Sequence, residues 1–195
     1  MMATVINTPA ANLTYEAYLA EPQVEGRYDI IEGTRVFMSG ATWQHQTISG
    51  NLYDLLRRYS RAHHSGTALY APFDVLIRRA PRLQTRQPDL LFISPARLAQ
   101  AGGIPAVGPL LAAPELVIEI ISNSETQRIL ADKLADYIVI GVDECWIVRV
   151  DTHTVELLQP SRSGSQIVDV YDETQSLTSP AFPALTLAVA DIFQP

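Results

Sequence analysis

The most informative segment of the chain reads Val117-Ile118-Glu119-Ile120-Ile121. Apolar residues occupy both faces of this predicted strand, which is typical of a central strand covered on both sides. Glu119 must therefore point into the interior or towards the edge of a cleft. A buried carboxylate needs a cation, a metal ion or hydrogen-bond donors, because burial without a partner is unfavourable or makes the group take up a proton. Both a functional site and a structural ion pair with an arginine satisfy this requirement.

The segments on either side of this strand predict a single α/β domain over residues 1–195, with about the first twelve residues frayed. Hydrophobic spacing predicts helices over 15–19, 43–62 and 124–141, and strands over 28–31, 35–38, 69–77, 87–94, 115–122, 144–150 and 154–159. The arginine-rich segment before 87–94 is predicted to be a hairpin loop, and the tail from Ser161 is polar before a final apolar segment. We expect a mixed central β-sheet flanked by helices.

Composition excludes several classes of protein. The chain has 195 residues, of which 47% are hydrophobic and 18% charged, so a globular core is expected rather than global disorder. Its single cysteine excludes a disulfide framework and cysteine-rich zinc modules. No apolar run is long enough to span a membrane and no signal-peptide pattern is visible, so a cytoplasmic protein without a membrane partner is expected. The net charge of −7 argues against a protein that coats nucleic acid non-specifically.

Two further carboxylates are candidates for the same site as Glu119. Asp89 opens the apolar run 90–93, although aspartate at the start of a strand is commonly turn chemistry. Asp74 shares a predicted strand face with Leu76, and it is either a third inward carboxylate or the solvent side of an edge strand. Carboxylate oxygens are ligands that Mg²⁺ prefers, so these residues predict a metal site if the fold brings them together.

Lys133 is the only lysine among fourteen basic residues. Helical spacing places it on the same stripe as Leu130 and Leu134, whereas Asp132 and Asp136 belong to the polar face. Lys133 is therefore predicted to point towards the sheet, unless its head group reaches back to solvent along an apolar surface. An ammonium beside two carboxylates would offset charge that develops on a phosphoryl group.

An ordered series of short motifs runs along the chain. The motifs are Arg27-Tyr28-Asp29-Ile30-Ile31-Glu32-Gly33, Ala71-Pro72-Phe73-Asp74-Val75, Gln87-Pro88-Asp89-Leu90-Leu91-Phe92-Ile93-Ser94, Leu116-Val117-Ile118-Glu119-Ile120-Ile121-Ser122, Asp132-Lys133-Leu134-Ala135-Asp136-Tyr137, Cys145-Trp146-Ile147-Val148 and Leu185-Thr186-Leu187. The series resembles the Uma-two family of restriction-endonuclease-like proteins, within the PD-(D/E)XK nuclease superfamily, from about residue 15 to residue 193. The resemblance implies a restriction-endonuclease-like core and metal-dependent cleavage of DNA phosphodiester bonds.

The resemblance also implies roles for individual residues. Asp89 matches the aspartate of the superfamily motif and Glu119 its second acid, while Ile121 stands where the motif lysine is usual and Lys133 occupies the displaced position. We therefore expect Asp89, Glu119 and Lys133 to be catalytic. Asp89, Glu119 and Asp74 are the expected ligands of Mg²⁺ or Mn²⁺. His45 matches a further family position and is expected to contact substrate.

Arginines cluster in one stretch of the chain. Between residues 57 and 86 there are seven arginines and one acid, so this stretch carries +6 while the rest carries −13. Contacts to DNA phosphates are predicted for Arg78, Arg79, Arg82 and Arg86, although a solvated surface would look the same.

Two functions remain open from the sequence. The first is a metal-dependent endonuclease, for which a homodimer is expected because one site cuts one strand of a duplex. The second is a non-catalytic module that binds nucleic acid or protein on a nuclease-like fold. The Asp89, Glu119 and Lys133 set favours the first, whereas the acidic balance of the chain favours the second.

Overall fold

The fold is built from helices and strands along residues 12–22, 24–121, 127–161 and 163–195, which a computed structural model describes. In chain order these elements are α1 (Tyr15–Ala20), β1 (Tyr28–Ile31), β2 (Thr34–Phe37), α2 (Trp43–His63), β3 (Thr67–Tyr70), β4 (Val75–Arg78), β5 (Gln84–Arg86), β6 (Leu90–Ile93), α3 (Pro95–Gln100), β7 (Leu116–Ile121), α4 (Gln127–Ile140), β8 (Glu144–Arg149), β9 (Thr154–Ser161), β10 (Gly164–Asp172), β11 (Ser176–Thr178), β12 (Thr186–Ala188) and α5 (Val189–Phe193). The predicted fraying of the first residues falls almost wholly outside the described residues.

A six-stranded sheet forms the centre of the molecule. Its strands lie in the order β10-β9-β8-β7-β6-β3. Strands β7 and β8 are parallel, and the other neighbours are antiparallel. The predicted mixed sheet is therefore confirmed. Strand β7 has neighbours on both edges and all six of its residues are buried, as the apolar pattern around Glu119 predicted.

Helices cover both faces of this sheet. Ile118 and Ile120 pack into a core with Leu52 and Leu56 of α2. Val117 and Ile121, which point to the opposite face of β7, pack instead into a core with Tyr137 of α4. Glu119 has the same strand parity as Val117 and Ile121, so its side chain is directed towards α4.

The predicted strand over 69–77 is wrong, because this segment forms two strands in different sheets. Strand β3 ends at Tyr70, and the backbone N–H of Ala71 still donates to the carbonyl of Asp89 at 3.0 Å. Pro72 has no N–H with which to continue the ladder. The chain then enters a second sheet, of four strands in the order β2-β1-β5-β4.

Other boundaries also differ from the predictions. The arginine-rich segment contains the buried strand β5, so only residues 79–83 form the turn between β4 and β5. The polar tail contains β10, an edge strand. Because most of its residues are exposed, it lacks the usual alternation of apolar and polar residues. Helix α4 is described from Gln127, and residues 124–126, where it was predicted to start, lie outside the described part of the chain. No helix within the described part is both long and apolar enough to cross a membrane.

Candidate active site

Strand pairing brings Asp89 and Glu119 close together from distant parts of the sequence. Strands β6 and β7 are antiparallel with Leu90 opposite Ile118, so Asp89 lies beside the segment that carries Glu119. The backbone N–H of Ile120 donates to Asp89 Oδ2 at 2.6 Å. The two acidic side chains are only 3% and 2% exposed. This part of the sheet therefore holds two neighbouring buried carboxylates.

Helix α4 supplies the partners of Glu119. Lys133 Nζ donates to Glu119 Oε2 at 2.8 Å, and the Tyr137 hydroxyl donates to Oε1 at 2.5 Å. Burial raises the pKa of Glu119 to about 6; the positive charge of Lys133 opposes this shift and the nearby charge of Asp89 adds to it. Glu119 therefore holds a proton more readily than an exposed glutamate does.

Lys133 points towards the sheet, as its helical position predicted. Its side chain is 4% exposed, so the alternative in which its ammonium reaches solvent is wrong. Tyr137 lies one helical turn after Lys133 on the same face of α4. Sequence reasoning did not assign Tyr137 to the site, although the spacing of the two residues was a usable signal. Together they place an ammonium and a hydroxyl against one carboxylate.

Asp89 is surrounded by positively charged or proton-donating groups from elements that precede it in the chain. His45 Nε2, on the first turn of α2, lies 3.0 Å from Asp89 Oδ1, and Arg27 Nη1 lies 2.5 Å from the same oxygen. Burial alone would raise the pKa of Asp89, but the His45 imidazole and the Arg27 guanidinium outweigh it and lower that pKa. Asp89 is therefore ionised over a wider pH range than Glu119.

The donor set at this site fits a hard divalent cation. Mg²⁺ is commonly held by one or two carboxylates and keeps several of its own waters. Asp89 Oδ1 is buried and accepts no hydrogen bond of regular geometry, although Arg27 and His45 stand close to it. Each carboxylate oxygen has two lone pairs, so Glu119 retains acceptor capacity beside its bonds to Lys133 and Tyr137. Asp89 and Glu119 could therefore hold such an ion together.

Asp74 lies in a different network of hydrogen bonds. It accepts from the Tyr18 hydroxyl, from Thr85 Oγ1 at 3.3 Å and from Gln87 Nε2 at 3.2 Å. Burial raises the pKa of Asp74 above its usual range. Within the described residues no three histidine, cysteine or acidic side chains form a cluster that could hold a metal ion. The structure therefore does not bring Asp74 to Asp89 and Glu119 as the expected third ligand.

Three of the four arginines predicted to contact substrate lie at the turn between β4 and β5 or beside it. Arg78 pairs with Glu32, and Arg82 Nη1 lies 3.7 Å from the same carboxylate. The Arg79 guanidinium stacks 4.3 Å from the centre of the Tyr15 ring. These contacts tie the turn to neighbouring elements rather than to the two buried carboxylates.

Arg86 is buried, which corrects its predicted place in an exposed loop. Its Nη1 lies 2.8 Å from Asp29 on β1, and its Nε lies 2.6 Å from Asp136 on α4. The guanidinium is enclosed by two carboxylates of the protein itself, so it does not offer a surface to a phosphate. Arg86 joins the four-stranded sheet to α4.

Arg27 is the second residue of the site that sequence reasoning did not assign. It begins the first motif of the series, but no hydrophobic period or spacing in that motif indicates that its side chain reaches Asp89. The contact depends on the position of β1 beside β5, and of β5 directly before Asp89. Such a relation between elements cannot be deduced from local sequence.

The chain is an α/β protein with a mixed sheet between helices and with an aspartate, a glutamate and a lysine buried together beside β7. The fold is similar to a crystal structure described as a "putative nuclease belonging to DUF820" from Anabaena variabilis. The TM-score is 0.74 at 20% sequence identity, and the similarity covers 93% of this chain and 97% of that chain.

The family profile Uma2, described as "Putative restriction endonuclease", matches residues 15–190. The chain therefore belongs to the Uma2 family, which confirms the resemblance carried by its motifs. No curated protein matches the chain. Family membership together with the nuclease-like fold indicates a hydrolase that acts on nucleic acid.

Proposed function

We propose that this protein is a metal-dependent endonuclease that hydrolyses DNA phosphodiester bonds, with Asp89 and Glu119 as the ligands of Mg²⁺ or Mn²⁺. The observation that carries this proposal is the pairing of two buried carboxylates across β6 and β7, with Lys133 2.8 Å from one of them. When bound, the cation supplies a Lewis acid that polarises a phosphoryl oxygen and makes a water molecule more acidic.

The residues around the two carboxylates have separable roles in this proposal. Lys133 offsets negative charge that develops on the phosphoryl group, because its ammonium is held on the same side of β7 as Glu119. Tyr137 orients Glu119 through its hydroxyl, and His45 stands at Asp89 Oδ1, where it can contact substrate as the resemblance implied. Asp74 is not included among the ligands, because it lies in a separate network with Tyr18, Thr85 and Gln87 and forms no three-residue cluster with Asp89 and Glu119 in the described part of the chain.

Cleavage assays with matched variants test this proposal. Plasmid DNA and single-stranded DNA are incubated with Mg²⁺ or Mn²⁺ and with wild type, Asp89→Asn, Glu119→Gln or Asp74→Asn. We expect both ligand variants to lose at least about 100-fold in rate, while Asp74→Asn stays close to wild type. Accumulation of nicked circular plasmid indicates that one active site cuts one strand at a time. Direct formation of linear plasmid indicates that two active sites cut both strands together, which supports the proposed homodimer.

Two outcomes would contradict the proposal. Cleavage that persists in Asp89→Asn and Glu119→Gln would exclude the assigned ligands. Binding of DNA by the wild type without any metal-dependent cleavage would favour the alternative, a non-catalytic module on a nuclease-like fold.

A candidate surface for the DNA backbone lies on α2 rather than at the β4–β5 turn. Trp43, Arg57 and Arg61 fall on one exposed stripe of this helix at about 100° per residue. Trp43 is 81% exposed, and Arg57 and Arg61 are exposed as well. Arg58, beside them, pairs with the exposed Asp54 at 3.1 Å. Guanidinium groups bind phosphates, and an exposed indole can stack on an unpaired base.

The salt dependence of DNA binding tests this surface without any cleavage. We expect the double variant Arg57→Gln/Arg61→Gln to bind DNA more weakly and to lower the slope of log K against log salt by about 2, since two phosphate contacts are lost. Arg79→Gln is the matched control, because that arginine stacks on Tyr15. An unchanged slope in the double variant, or an equal loss in the control, would exclude this surface.

A further inference from the structure

Arg27 contacts the oxygen of Asp89 that accepts no hydrogen bond of regular geometry. Asp89 Oδ2 accepts from the backbone N–H of Ile120 at 2.6 Å, whereas Oδ1 accepts no such bond and has His45 Nε2 3.0 Å away. Arg27 Nη1 stands 2.5 Å from Oδ1, and the other terminal nitrogen of the guanidinium donates to the Gln87 carbonyl at 2.9 Å. The guanidinium therefore lies beside Asp89, where a cation would be bound.

The charges around Arg27 also indicate that its guanidinium occupies the position of a bound cation. The negative charges of Asp89 and Glu119 both help to raise the pKa of Arg27, which burial alone would lower, so its guanidinium senses both acidic groups. A divalent cation sits about 2.1 Å from its carboxylate ligands. Two cations that close to one buried oxygen would repel each other strongly, because the interior screens charge poorly.

We propose that Arg27 is the counter-ion of Asp89 in the metal-free protein and that a divalent cation competes with it for Asp89 Oδ1. This inference rests on the proposed role of Asp89 as a metal ligand. Arg27 neutralises Asp89 while the site holds no ion, as Lys133 does for Glu119, and the Arg27 side chain withdraws from Oδ1 when the ion binds. The affinity for metal is then lower than the two carboxylates alone would give.

The Arg27 side chain is held less completely than the Asp89 carboxylate. The Arg27 carbonyl accepts from the backbone N–H of Met38 at 2.9 Å, which anchors its backbone at the end of the β1–β2 hairpin. Its side chain is 22% exposed, whereas that of Asp89 is 3% exposed. Its Nε is buried without a hydrogen-bond acceptor, so the guanidinium is not bound on every side. Movement of the guanidinium, rather than of the carboxylate, is therefore the change that metal binding would require.

Calorimetric titration with Mn²⁺, with no DNA present, tests this competition. We expect Arg27→Gln to bind Mn²⁺ about tenfold more tightly than wild type, because the ion no longer displaces a guanidinium. Thermal unfolding gives a second readout. Without metal, Arg27→Gln should melt at a lower temperature than wild type, and added Mn²⁺ should raise its melting temperature by more than it raises that of wild type. Arg35→Gln is the matched control, because Arg35 pairs with Glu21 and packs on the Tyr28 ring.

The outcomes separate this inference from the proposed function. If wild type binds Mn²⁺ and Arg27→Gln binds it no more tightly, the competition is excluded while the proposed ligands stand. If neither protein binds Mn²⁺, both the inference and the proposed function are excluded. Arg27→Met, which also removes the positive charge but keeps an unbranched side chain, serves if the glutamine variant does not fold. Its affinity should exceed that of wild type, and an equal or lower affinity would overturn the inference.

Discussion

Lys133 places a compact ammonium where a larger cation would fit poorly. Its Nζ lies 2.8 Å from Glu119 Oε2, and only 4% of the residue is exposed. An arginine would keep the charge but bring a wide planar fork into the same buried space. The single lysine of a chain otherwise rich in arginine therefore occupies the position in which the two residue types differ most.

Replacing Lys133 separates its chemical role from its structural role. We expect Lys133→Met to lower the cleavage rate by at least about 100-fold, because the charge beside the phosphoryl group is lost and Glu119, which takes up a proton more readily, becomes a poorer ligand. The fold should survive, because removing the ammonium raises the pKa of Glu119 further, so that this buried carboxyl can become neutral. Lys133→Arg is expected to lose activity as well.

Circular dichroism and thermal unfolding, run beside the cleavage assay, check this expectation. A Lys133→Met protein that cleaves DNA at the wild-type rate would remove Lys133 from the catalytic set. A variant that loses its folded structure together with its activity would show instead that the lysine is structural.

At the scale of elements, β5 connects parts of the molecule that the sequence does not show as neighbours. Its Arg86 reaches Asp29 on β1 and Asp136 on α4, at 2.8 Å and 2.6 Å. The local sequence around Arg86 is polar and rich in arginine, so it predicts an exposed loop. Burial becomes favourable only because two carboxylates from distant elements satisfy the guanidinium.

This buried network predicts a large effect on stability. We expect Arg86→Met to lower the free energy of unfolding by about 3–5 kcal/mol, because Asp29 and Asp136 lose their shared cation. Arg79→Met, in which an exposed arginine is lost, should change it by less than about 0.5 kcal/mol. Urea denaturation measures both variants, and similar small effects would contradict the structural role of Arg86.

Helices and strands whose apolar residues repeat at regular spacing could be predicted from the sequence, and others could not. Helix α2 was expected over 43–62 and extends from Trp43 to His63, because its apolar stripe is long and regular. Helix α1 was expected over 15–19 and extends from Tyr15 to Ala20, with Thr14 accepting from the backbone N–H of Ala17 at its start. Strand β10 was missed because its side chains are largely exposed and carry no clear alternation.

At the scale of the whole molecule, the site depends on how β6, β7 and α4 meet. The burial of Glu119 could be predicted from the five residues of its strand. The orientation of Lys133 towards the sheet could be predicted from its place on the apolar stripe of its helix. The partners of Asp89 could not be found in this way, because Arg27 lies just before β1 and His45 lies on α2. The family resemblance suggested His45, whereas the role of Arg27 required the tertiary structure.

Asp89 and Glu119 are proposed to hold one divalent cation between them. Anomalous diffraction from crystals soaked in Mn²⁺ tests this most directly, because the signal locates the ion itself. We expect a manganese peak within about 2–2.5 Å of Asp89 Oδ1 and of a Glu119 carboxylate oxygen, and no such peak in Asp89→Asn crystals. Manganese bound only elsewhere in the molecule, with the Arg27 guanidinium still against Asp89 and no peak beside it, would exclude this metal site.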